Sequence, residues 1–154
     1  MKKPKMAVTS LDKSIEELAA GTDHRKLAIW AADCAGRVLP YFEERSPGDN
    51  RPREAIDALR AWVLTGVFKM ADIRRAALAA HAAAREVEED NAARSAARAA
   101  GQAVAAAHVP RHAIAAALYA ATAVRDATNV SDAGAAMARE RNWQYQHLLE
   151  LELC

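Results

Sequence analysis

Three groups of residues in this chain have types and spacings that could do chemistry. Asp49-Asn-Arg-Pro-Arg-Glu54 sets Arg51 and Arg53 among two carboxylates, Asp49 and Glu54, at a helix start, where free backbone N–H groups favour an anion. A phosphate or carboxylate could be held there, although a capped helix start with mutual ion pairs uses the same residues. In the second group, Arg74, His81 and Arg85 fall within about 40° of one another on a helical wheel, with Leu78 beside them at the edge of the apolar face. Cations drawn from water need partners, and Asp33, Asp49, Glu54 and Asp57 are the candidates; an interhelical network that fixes register is the competing use. The third group is His81, His108 and His112. Pro110 separates the last two, so they straddle a corner, and the chain has no His-Glu-x-x-His or Cys-x-x-Cys spacing. No metal and no cofactor are therefore expected, which leaves satisfied interior histidines or an acid–base pair as open readings.

The elements that position these residues are helices. About one residue in four is alanine, the strongest helix former, and small enough that helices faced with it must pack closely. Ser10 or Asp12 can cap a first helix ending at Gly21, and Thr22 or Asp23 opens a second with Leu27, Ala31, Cys34, Val38 and Phe42 on one stripe. Pro40 should kink or end that helix. Ser46-Pro-Gly-Asp-Asn reads as a loop, with Asp49 or Asn50 capping a third helix that buries Ile56, Leu59 and Val63, carries Trp62 and closes at Gly66. A fourth should run from about Lys69 to Glu89 with Met70, Ile73, Ala77, Ala80, Ala84 and Val87 inward. Asp90 or Asn91 caps a fifth reaching His108, and Val109-Pro110 turns into a sixth with Ile114, Leu118, Ala121 and Val124 inward. Beyond Asn129 a seventh carries Met137, Leu148 and Leu151. Strand signals are missing, so the expectation is an all-α single domain, a compact antiparallel bundle or short helical array of about six to seven helices, with 1–9 flexible.

Twenty-one basic against 20 acidic residues leave a net charge of +1, which does not favour nucleic acid or an anionic membrane. Apolar stretches are too short for an ordinary membrane span, and the basic N-terminus leads into no apolar signal region. Cys34 reads as a core thiol and Cys154 as a second reduced one, which suits a cytoplasmic protein. Trp143 and His147 share one face of the last helix and Tyr145 another, a surface that could form a homodimer or meet a partner.

The pieces Trp30-Ala-Ala-Asp-Cys-Ala-Gly-Arg-Val-Leu-Pro40, Asp49-Asn-Arg-Pro-Arg-Glu-Ala-Ile56, Arg60-Ala-Trp62, Ala79-Ala-His-Ala-Ala-Ala-Arg85 and Ala99-Ala-Gly-Gln-Ala-Val-Ala-Ala-Ala-His-Val109, with His112-Ala, span about Leu27 to Val124. In them the chain resembles the immunity protein family of bacterial polymorphic toxin systems, small all-helical proteins often loosely labelled as an exonuclease subunit. No metal-binding carboxylate motif or Walker loop accompanies that label here. The resemblance implies a helical domain and a toxin protein as partner. Beside it the residues support two functions. An interaction protein would block a partner through a formed surface. A small-molecule binder or enzyme would hold an anionic ligand with Asp49, Arg51, Arg53, Trp62, Arg74, Arg85 and His112, while His81, His108 and Glu54 moved protons.

Overall fold

The computed structural model describes residues 9–88 and 91–154. Seven α-helices and no strand occur among them: α1 (Asp12–Ala20), α2 (His24–Arg45), α3 (Arg51–Thr65), α4 (Met70–Arg85), α5 (Ala92–Ala105), α6 (His112–Ala127) and α7 (Val130–Glu152). The expected flexibility of 1–9 falls almost wholly outside the described residues, as do Glu89 and Asp90.

Most helix ends follow from local chemistry. Asp23 accepts from Lys26 N at 2.9 Å, Asn91 from Ala93 N and Arg94 N, and Asn129 from Asp132 N, each satisfying N–H groups a first turn leaves free. Gly66 ends α3 at φ 70°, a left-handed conformation that glycine adopts without strain. At α1 the cap position falls to Leu11 rather than Ser10, and Asp12 instead accepts from Thr9 N and Oγ1. The capping at α3 is divided, since Asn50 holds the cap position while the carboxylate of Asp49 accepts from Arg51 N at 3.2 Å.

Three expected ends move, and the first is that of α4, which stops at Arg85 rather than near Glu89, its last carbonyls taken by Glu86 N and Val87 N. Pro40 does not stop α2, which continues to Arg45; Val38, Leu39 and Phe42 are buried around it, and that packing outweighs the backbone bond the proline removes. α5 ends at Ala105 rather than His108, because its last carbonyls are taken by the tighter turn through Ala106, Ala107 and His108.

The core gathers around α5, which packs against α2, α3, α4 and α6. It can meet four neighbours because its buried face consists of six alanines with Ser95, Gly101 and Val104. The same logic corrects the sixth helix: Ala113, Ala116, Ala117, Ala120, Ala121 and Ala123 are buried, whereas Ile114, Leu118 and Val124 sit half-buried at the margin. Side chains of their size do not fit between backbones this close. Val63, Met70 and Ala77 are likewise half-buried. Large residues fill the remaining gaps, with Trp30, Phe42, Ile56, Leu59 and Leu148 fully enclosed.

Candidate functional site

The residues singled out by type and spacing divide among separate places. At the start of α3, Arg51 reaches Asp49 through Nε (3.0 Å) and Nη2 (2.7 Å) and also pairs with Glu86 beyond α4. These carboxylates push the Arg51 pKa further up, and Arg51 in turn holds the Asp49 carboxyl below its ordinary range. The pair therefore ties α3 to the end of α4. Arg53 is bidentate to Glu43 of α2 at 2.7 and 2.6 Å. Trp62 lies against the His24 ring at 4.8 Å, and His24 Nε2 meets Ala106 O at 2.5 Å. Glu54 is exposed, and among the described residues no contact joins it to His81 or His108.

His81 lies under α5. Its Nδ1 is 3.0 Å from Arg98 Nη1, and its ring occupies the notch that Gly101 leaves: a Cβ there would stand 2.7 Å from Nε2. Burial lowers the His81 pKa, and the charges of Arg98, Arg85 and His112 lower it further. His112 lies across the seam, with Nδ1 2.7 Å from Gln102 Oε1 and its pKa lowered by burial and by His108. His108 is exposed, its ring 6.0 Å from that of Phe68.

Arg74 and Arg85 do share a surface. With Leu78 and the intervening alanines they line a shallow groove of about 830 Å³ along the outer face of α4. Neither has an acidic partner among the described residues; neighbouring Arg75 pairs with Asp72 at 3.3 Å. Leu78 is 60% exposed, and at the α3–α4 corner Leu64 (81%), Val67 (61%) and Phe68 (41%) also face outward. Arg74 further lines a smaller cavity, of about 170 Å³, with His108 and His112.

Sequence reasoning missed a polar cluster on the other side, where α2, α3 and α7 meet. Asp33 was a candidate partner for the α4 cations; it instead receives His147 Nε2 at 2.8 Å and Arg60 Nη2 at 3.3 Å. Arg37 is bidentate to Glu140 and lies 3.8 Å over the Trp143 ring, which stacks on His147 at 4.8 Å. Trp143 and His147 thus pack toward α2 rather than presenting a free aromatic face. The one available signal was their four-residue spacing. Cys34 is buried beside this cluster, and burial raises its thiol pKa well above the ordinary value, with Glu140 and Asp33 adding to the rise. It is a core thiol.

Seven helices wrapped around an alanine-lined centre define an all-α protein of the helical-bundle class. Within that class the chain belongs to the Imm-5 like putative immunity protein family, whose sequence model it matches over residues 17–151. No curated protein and no solved structure matches it. No described helix is long and apolar enough to cross a membrane, and no group of three potential metal-ligating side chains occurs among the described residues.

Proposed function

We propose that this chain acts as an immunity-type protein by binding a toxin domain directly, through the outer face of α4 and the α3–α4 corner. The carrying observation is a coincidence of two kinds of side chain. Four large apolar residues, Leu64, Val67, Phe68 and Leu78, are exposed within one short stretch, and Arg74 and Arg85 stand beside them without counter-ions among the described residues. Apolar anchors with arginines at their border are the composition of an interface core, and uncompensated positive charge favours an acidic partner surface. Family membership supports the same partner class. In this reading Arg74 and Arg85 are contact residues, while Arg51 and Arg53 are consumed by ion pairs within the fold.

The test is calorimetric titration against a purified polymorphic-toxin domain that this chain neutralises on co-expression. Leu78→Glu and Arg74→Glu should each weaken binding by about tenfold or more and leave the unfolding midpoint unchanged, because both positions are exposed. Arg53→Ala, on a different face, should bind like the unmodified chain. Unmodified affinity in both the Leu78→Glu and Arg74→Glu variants would end this assignment of the surface.

A further inference from the structure

The small cavity beside the α4 groove has a chemistry that apolar docking does not require. Arg74, His108 and His112 point to it between walls of Ile73, Ala77 and Leu78, and no Asp or Glu lines it. The seam behind it adds two permanent positive charges, Arg98 and Arg85, which with burial and His112 hold the His81 ring toward its neutral form. Cationic groups gathered without a carboxylate repel one another, and an entering anion would relieve the repulsion. The hydrogen bond to Gln102 Oε1 requires a proton on His112 Nδ1, which leaves Nε2 as the atom that can take up a second.

We infer that this cavity receives a carboxylate side chain of the partner protein, with Arg74 as the permanent charge and His108 and His112 completing its recognition. Continuity of the surface argues for that source: Met70, Arg74 and Leu78 line both the groove and the cavity, so a segment lying across Leu78 has a side chain at the cavity mouth. The inference rests on the docking reading only for where the carboxylate comes from. Arg74 meets the two carboxylate oxygens with its planar fork, and His112 adds charge as it protonates. In the free protein His112 is held toward its neutral form by burial and by His108. Carboxylate entry reverses that preference, so binding takes up a proton and strengthens as pH falls toward and below about 6.5. The groups facing His112 are Arg74 and His81 of α4, His108 of the corner and the uncharged Gln102 of α5.

Glutarate and sulfate serve as probes on the full chain at fixed ionic strength, followed by the ring-proton NMR signals of His108 and His112. Glutarate should shift both signals saturably at millimolar concentration and bind several-fold tighter at the lower pH. Arg74→Gln, at an exposed position that does not threaten folding, should weaken the response about tenfold. Tighter binding of sulfate than of glutarate would make this a site for a small tetrahedral anion and overturn the carboxylate assignment. An unsaturable response, or one unchanged in Arg74→Gln, would overturn the site itself. Neither result touches the docking surface, which stands or falls on Leu78→Glu with the toxin domain.

Discussion

His81 has its protonation state decided by what surrounds it. A guanidinium can only donate, so the 3.0 Å contact from Arg98 Nη1 requires a lone pair on His81 Nδ1 and hence a neutral ring. Burial first, then Arg98, Arg85 and His112, hold its pKa below the ordinary 6.5. The consequence for stability has a definite sign. Above about pH 6.5 neither folded nor unfolded His81 carries the extra proton; as pH falls below it, the unfolded chain binds protons that the folded ring refuses, and stability declines. Chemical denaturation between about pH 7 and about pH 5 should show this loss. His81→Asn, which retains an acceptor but cannot titrate, should flatten the slope, leaving the part due to His112. A slope identical to that of the unmodified chain would show that His81 is not the group responsible.

Among the elements, the α4–α5 seam explains why a glycine stands in the middle of a helix otherwise built of alanine. Gly101 is buried, and a methyl group there would meet three atoms of the His81 ring at 2.7–3.0 Å. Gly101→Ala therefore sets a helix-propensity gain of about 1 kcal/mol against an overpacking cost of about 1–3 kcal/mol. Net destabilisation of about 1 kcal/mol is expected in urea unfolding. In a His81→Ala background the same change should instead stabilise, and stabilisation in both backgrounds would refute the steric account. Gly36 makes a useful contrast. The atom its added Cβ would meet, at 3.2 Å, is Nη2 at the exposed end of Arg60, which can shift at little cost.

At the scale of the whole molecule, closure depends on a buried polar network that joins the two ends of the chain. α1 packs on α7 and α6, and Arg141, only 1% exposed, reaches back to Asp12 Oδ1 through Nε at 3.2 Å and Nη2 at 2.8 Å. Arg141 also donates to Gln144 Oε1. Gln144 Nε2 donates to Ala117 O, and Trp30 Nε1 donates to Gln144 O. Burial alone would raise the Asp12 pKa, but the hydrogen bonds from Thr9 and Arg141 outweigh it and hold the carboxyl below 3.8. Its contribution is thus complete above that pH and lost as pH falls below it. Asp12→Asn leaves a buried guanidinium without its charge partner and should cost about 2 kcal/mol, read as a lower melting temperature at neutral pH that converges on the unmodified chain in acid. An unchanged melting temperature would reduce the pair to a register device.

The linear pattern of residues specified the all-helical class, about seven helices and most of the turns, because alanine content, Asp and Asn caps and Gly66 act over a few residues. It also placed Trp143 with His147, and Arg74 with Arg85, on common faces, since both pairs lie on single helices. Which charges meet across helices was settled by packing alone. Arg51 and Arg53 went to Glu86 and Glu43, Asp33 went to Arg60 and His147, and the three polar residues Glu140, Arg141 and Gln144 became buried. Such pairings depend on how closely two backbones approach, and alanine faces permit many approaches at similar cost. The large side chains near α5 went to the margin for the same reason, and the arginines of α4 were left facing outward because no described helix covers that side.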